Sequence, residues 1–208
     1  MNIAHVDELD AIALPDGFVW RPVRRRFGIK AFGVNAYTPG ESRQVVESHT
    51  EDQLEHEEIY LVLRGRVRFT VGDDDHELGP GQLVFVRDPQ LRRGAVALTD
   101  DAAVLALGGK PGRPHEISAW ETMFAAVPYA QADDWEEAIR IHEEGLAERP
   151  DDPALLYNLA CMESRGGRHR DALLHLRRAV ELEPKWAEHA VKDSDFDAIR
   201  DEQGFPAG

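Results

Sequence analysis

The sequence predicts a chain with α and β structure in separate segments: an antiparallel β-barrel or sandwich first, then α-helical repeats. Three observations predict this. Short runs rich in Val, Ile, Leu, Phe and Tyr alternate with turn residues over residues 18–107. Beyond residue 115 apolar residues return about every 3.6 positions. Between the two lies Gly108-Gly109-Lys110-Pro111-Gly112-Arg113-Pro114, which reads as a linker and divides the chain into domains 1–113 and 114–208.

The expected strands are Ala31–Tyr37, Gln44–His49, Ile59–Leu63, Val67–Val71, Gln82–Val86, Gly94–Leu98 and Ala103–Leu107. Turn signals separate them: Thr38-Pro39-Gly40, Arg64-Gly65, Gly72-Asp73-Asp74-Asp75, Gly79-Pro80-Gly81 and Thr99-Asp100-Asp101. Regular short strands without an intervening helix suit a closed or double-layered antiparallel sheet. Arg64, Arg66 and Arg68 alternate with Gly65, Val67 and Phe69, which predicts a polar outer face and an apolar inner one. Arg24-Arg25-Arg26 reads as a solvated strand face or a set of pairing partners.

In the second half, Trp135–Leu146, Ala154–Glu163 and Arg170–Leu182 are amphipathic, and Gly166-Gly167 separates the latter two. A period of 34 residues links Pro150 to Pro184, Ala138 to Ala172 and Gly145 to Ala179. Small residues at such positions let helices approach closely, and the prolines end them. This pattern resembles the tetratricopeptide repeat. Residues 151–184 match it through Leu156, Leu159, Ala160, Ala172, Leu176, Ala179 and Pro184. Residues 119–150 match through Tyr129, Ala138, Gly145 and Pro150, with Pro128 expected to interrupt the first helix. A third unit starts at Lys185–Val191, and Asp193–Arg200 reads as a short cap carrying Phe196 and Ile199.

Composition narrows the partners. Acidic residues number 39 against 24 Lys plus Arg, a net charge of −15. Residues 1–113 hold 18 acidic and 14 basic groups, and residues 114–208 hold 21 and 10. Such a surface repels phosphate backbones and anionic lipid, so neither nucleic acid nor a membrane is an expected partner. Cys161 is the single cysteine, and the N-terminal stretch lacks the basic start and apolar run of a signal peptide. No run approaches the ~18 apolar residues of a membrane helix. A cytoplasmic location is the expectation.

The segment His56-Glu57-Glu58-Ile59-Tyr60-Leu61-Val62-Leu63-Arg64-Gly65 resembles the first motif of the cupin family, with Glu58 six intervening residues before Gly65. Leu78-Gly79-Pro80-Gly81-Gln82-Leu83-Val84-Phe85-Val86 resembles the opening of the second motif. The resemblance covers roughly residues 25–107 and implies a jelly-roll barrel that dimerises. Metal-binding cupins place a His-x-His pair shortly before the Glu. The matching stretch here is Glu51-Asp52-Gln53-Leu54, and the family's last His falls at Arg92 or Arg93. Arginine stays protonated and cannot serve as an ordinary ligand. The standard metal site is therefore absent by sequence.

Two arrangements remain open at this point. In the first, His49 lies opposite His56 across a hairpin, and His49, His56 and Glu58 form a two-imidazole, one-carboxylate set for Fe, Mn, Zn or Ni. Tyr60 is then the catalytic candidate, and Arg92 or Arg93 clamps a small polar metabolite in an oxygenase, isomerase or lyase. In the second, no cofactor is bound. Glu58 pairs with Arg92 or Arg93, and His49, His56 and Tyr60 line a small-ligand pocket or a filled barrel. The repeats then serve a protein or peptide partner, with Arg168, Arg170, Arg177 and Arg178 available to it. A ligand-binding or structural barrel fused to an interaction module is the expected function, with the divalent-metal enzyme as the alternative.

Overall fold

The computed structural model describes residues 3–206 of the chain. It separates into two compact units that divide between Glu116 and Ile117.

The first unit is antiparallel throughout. β1 (Ile12–Ala13), β2 (Phe18–Arg21), β3 (Gly33–Pro39), β5 (Glu57–Arg64), β8 (Leu83–Val86) and β10 (Ala103–Gly109) form a six-stranded sheet in the order β1-β2-β3-β10-β5-β8. β4 (Gln44–His49), β6 (Val67–Val71), β7 (Asp74–Leu78) and β9 (Arg93–Ala97) form a four-stranded sheet in the order β4-β9-β6-β7. Val45, Val46, Tyr60, Val62, Val67, Phe69, Val86, Ala95, Ala97 and Val104 make the core of this unit. Val67 and Phe69 are buried while Arg66 and Arg68 are exposed, the alternation that a half-solvated strand requires.

Several local expectations need correction. The run Asp73-Asp74-Asp75 is not all turn, because Asp74 and Asp75 belong to β7 and pair with Val71 and Thr70. Gly72, at φ 60°, takes the left-handed position that lets two residues reverse the chain. Gly108 and Gly109 are strand rather than linker: Gly108 is paired with Gly33 on one side and Glu58 on the other. A Cβ at Gly108 would lie 3.0 Å from Glu58 Cγ, so the missing side chain makes room for that glutamate. The three consecutive arginines sit in a short helix, α1 (Val23–Phe27), which closes on left-handed Gly28, and Arg24 is buried. No β4–β5 hairpin forms; β4 pairs with β9 instead.

The second unit contains α2 (Ala119–Gln131), α3 (Trp135–Glu148), α4 (Pro153–Arg165), α5 (His169–Leu182) and α6 (Lys185–Lys192), then a 3₁₀ turn over Ser194–Phe196. Ser118, Asp134 and Asp152 cap α2, α3 and α4 by accepting backbone N–H bonds. Both ends of α2 recur in α4, and both ends of α3 recur in α5, at one interval of 34 residues. Pro128 lies inside α2 rather than interrupting it. Its missing N–H falls in the last turn, where the lost bond costs least continuity. Gly145 faces Thr122, whose Oγ1 would be 2.8 Å from an added Cβ, so α2 and α3 pack closely at this point. Leu156, Tyr157, Ala160, Ala172, Leu176, Ala179 and Ala190 form the core, closed by wholly buried Phe196 and Ile199. Among the described residues no helix is long and apolar enough to cross a membrane.

Candidate functional site

The site is built where β4, β5 and β9 bring polar side chains into the first unit. In β5 Glu58 and Tyr60 share the inward face, two residues apart. Tyr60 is 3% exposed, and its hydroxyl donates to Glu58 Oε2 at 2.5 Å. Burial comes first among the causes that push the Tyr60 phenol well above its usual value, and the charge and hydrogen bond of Glu58 add to it. Tyr60 is thus a held donor at neutral pH.

His49 reaches the same oxygen from the other sheet. Its Nε2 lies 3.4 Å from Glu58 Oε2 and 3.5 Å from Glu51 Oε1. Its Nδ1 sits 2.8 Å from the Glu47 carbonyl, which can only accept, so Nδ1 carries a hydrogen and Nε2 faces the carboxylates. Burial works to lower the imidazole's value. The hydrogen bonds to Glu58 and Glu47 and the two carboxylate charges outweigh it and raise the group above its ordinary range. For Glu58, burial works upward, while the bonds from His49 and Tyr60 and the charges of His49 and Arg93 bring it below the usual carboxylate value.

Between the two arginines left open by the sequence, strand alternation decides. Arg93 is cross-strand to His49 in β9, and its side chain is wholly buried. Its Nε lies 3.2 Å from Glu58 Oε2, and its Nη1 donates to the Pro89 carbonyl at 3.2 Å. Arg92 is exposed and donates to the Ser48 carbonyl instead.

The anticipated trio of His49, His56 and Glu58 is not the one that converges. Donor atoms of His49, Glu51 and Glu58 lie within 4.8 Å of one another. His56 precedes β5 and stands behind Glu51, with Nδ1 3.2 Å from Glu51 Oε2. The hairpin that was expected to set His49 opposite His56 is absent, which is why the roles differ. Glu51 is the residue that sequence reasoning missed. The signal for it was a carboxylate two positions beyond His49. His115 was also missed. Its ring lies 5.9 Å from His56, and its shape fits against Gly33, where a Cβ would meet it at 2.8 Å. Burial, then the charges of Arg24 and His56, lower His115 to about 4.

A divalent ion held by these groups would be ligated through Glu58, the carboxylate that Arg93 already faces. A unit charge and a divalent ion ~4 Å apart repel by about 8 kcal/mol at an effective dielectric constant of about 20. The donor set converges, but the buried guanidinium does not fit beside a metal ion unless it moves away.

In the second unit, Cys161, Asp193 and Asp195 also lie close together. Tyr157 donates to Asp193 Oδ2 at 2.8 Å, and the thiol lies 3.9 Å from the same atom. Burial, then the charges of Asp193 and Asp195, push the thiol well above its ordinary value, so it packs as a protonated group. Arg168 pairs with Glu136 and Glu143, Arg178 with Asp151 and Glu181, and Arg177 donates to the Leu173 carbonyl. Three of the four arginines considered for an acidic peptide are therefore engaged within the unit.

Residues 36–107 match the family described as the cupin domain. No curated protein matches the chain. Solved structures are similar over about half of the chain. KdgF from Halomonas sp. is 20% identical, covering 51% of this chain and 90% of its own, with a TM-score of 0.39. An RmlC-like cupin protein from Desulfovibrio desulfuricans is 21% identical over 52% of this chain and 96% of its own, with a TM-score of 0.42. A sugar phosphate isomerase from a cupin superfamily, from Silicibacter pomeroyi, is 20% identical over 54% and 78%, with a TM-score of 0.41.

Proposed function

We propose that the first unit is a small-molecule-binding barrel that works without a metal ion, and that the second is a tetratricopeptide-like interaction module. The carrying observation is the buried Arg93 guanidinium 3.2 Å from Glu58 Oε2. It supplies a fixed positive charge beside the carboxylate that a metal would need. Around it, His49, Glu51, His56 and Tyr60 offer polar groups of both hydrogen-bonding senses. The recurrence of helix ends at 34 residues supports the repeat reading of the second unit. Its excess of acidic groups favours a basic partner segment over an acidic one.

The convergence of His49, Glu51 and Glu58 favours one competing reading, a divalent-metal enzyme. Elemental analysis of untagged protein separates the two. Metal well below one ion per chain, with no thermal shift on adding Fe, Mn, Zn or Ni, is the expected result. A stoichiometric metal that disappears in Glu51→Gln would overturn the metal-free reading.

A further inference from the structure

We propose that the Arg93 guanidinium is the resident cation of an otherwise complete ligand set, and that it alone keeps His49, Glu51 and Glu58 from taking a divalent ion. This rests on the metal-free reading of the unchanged barrel and adds the residue that enforces it.

The ligand atoms already stand at a metal's spacing. Donors around a tetrahedral ion at about 2.0–2.2 Å lie roughly 3.3–3.6 Å from one another. His49 Nε2 is 3.4 Å from Glu58 Oε2 and 3.5 Å from Glu51 Oε1. Each of the three is also held from behind, as metal ligands are. The Glu47 carbonyl, 2.8 Å from His49 Nδ1, fixes the proton of the neutral ring there and leaves the Nε2 lone pair facing the carboxylates. His56 Nδ1 stands 3.2 Å from the other oxygen of Glu51. The Tyr60 hydroxyl donates to Glu58.

Arg93 meets this set as a charge rather than as a fork. It enters from β9, cross-strand to His49. Its Nε lies 3.2 Å from Glu58 Oε2, yet neither Nε nor Nη2 makes an aligned hydrogen bond, on a side chain with no solvent exposure. A guanidinium that recognises a carboxylate by shape binds it bidentately. This one supplies the positive charge that converging buried carboxylates require. A divalent ion supplies the same compensation, so the two cations compete for one place. The His49 side chain is 29% exposed, which gives an ion a way in once the guanidinium is gone.

Zinc titration of untagged, metal-free protein and of two variants tests this. Arg93→Gln removes the charge and keeps most of the bulk, and Arg93→Ala also clears the space. Each is expected to bind one Zn(II) per chain at least about a hundredfold more tightly than the unchanged protein. Zinc should raise the melting temperature of both variants and leave that of the unchanged protein where it is. Arg92→Ala, which removes the exposed neighbouring charge, should behave as the unchanged protein does. Adding Glu51→Gln to Arg93→Gln should remove most of the gain. Where a variant unfolds on its own, zinc present during refolding should restore its far-ultraviolet circular dichroism. No gain in zinc affinity in either variant, folded alone or refolded with zinc, overturns the inference. So does a gain that survives Glu51→Gln or that appears in Arg92→Ala. One zinc per unchanged chain at the variants' affinity overturns the metal-free reading instead.

Discussion

Glu51 and Arg93 hang from one atom. The Glu51 backbone N–H donates to the Pro89 carbonyl at 2.8 Å, and Arg93 Nη1 donates to the same oxygen at 3.2 Å. The loop before β9 therefore sets the reach of the buried cation and, at the same time, the backbone position of Glu51. A two-lone-pair acceptor can serve both without strain. The arrangement couples the strand that supplies Arg93 to the loop that supplies Glu51, although the two lie some forty residues apart in sequence.

Removing the guanidinium should expose this dependence. Arg93→Met leaves Glu58 half of a broken buried pair and is expected to cost the first unit about 3–5 kcal/mol. The double change Arg93→Met with Glu58→Gln removes both charges and should recover most of that loss. Hydrogen exchange at β5 and β9 amides reads the first unit separately from the helices. Equal protection in Arg93→Met and the unchanged protein would show that the pair contributes no stability.

Gly65 offers a backbone test. It closes the β5–β6 turn at φ 67°, and an added Cβ would stand 2.6 Å from Ala102 Cα. Gly65→Ala meets a left-handed penalty of about 1–2 kcal/mol and also a contact with backbone that cannot swing aside. The expected outcome is loss of soluble first unit or a marked fall in its melting temperature, with the helical unit unaffected in hydrogen exchange. Unchanged melting would mean that the turn relaxes without cost.

The β segments were legible because strand alternation and turn residues are local signals. Val67 and Phe69 inward with Arg66 and Arg68 outward follow from spacing alone. The helical pairs were legible through the 34-residue interval. What sequence did not give was the partner of each strand. His49 was expected beside His56 because β4 and β5 are consecutive, yet the chain carries them into different sheets. That non-local choice put Glu51, not His56, among the converging groups. Gly108 shows the same limit. Glycines beside Lys and Pro suggest a linker, and only the neighbouring strands reveal that Gly108 is paired on both sides and leaves space for Glu58.

The outward face of β5 and β8 predicts self-association. Ile59 pairs with Phe85 and Leu61 with Leu83, and Leu83 and Phe85 are 58% and 51% exposed. β8 is also the last strand of its sheet, with one edge that carries no in-chain ladder. An antiparallel edge can meet its own copy across a two-fold axis. Sedimentation is expected to give a dimer that Phe85→Glu converts to a monomer with unchanged circular dichroism. A monomer at every micromolar concentration for the unchanged chain rejects this.

The helical unit should lose stability as pH rises through the neutral range. His175 Nδ1 lies 2.8 Å from Glu163 Oε2, and Glu163 is 2% exposed. The hydrogen bond to Glu163 is the largest cause raising His175 above its usual value of 6.5; burial opposes it, and the charges of Glu163, Asp171 and Glu143 reinforce it. A histidine whose folded value exceeds its unfolded one contributes stability fully below about 6.5, and that contribution disappears as pH climbs through the folded value. Glu163, raised chiefly by burial, acts in the same sense from lower pH. Buried His142 has the opposite shift, so its effect lies on the acid side of 6.5, and the Cys161 thiol, raised chiefly by burial, adds its own decline only as pH approaches 9. Urea unfolding of the full chain, followed by exchange at α4 and α5 amides between pH 6 and pH 9, should show a declining midpoint. His175→Gln keeps a hydrogen-bonding side chain without a titrating one and should flatten that decline. A slope that persists in His175→Gln would assign it to another group.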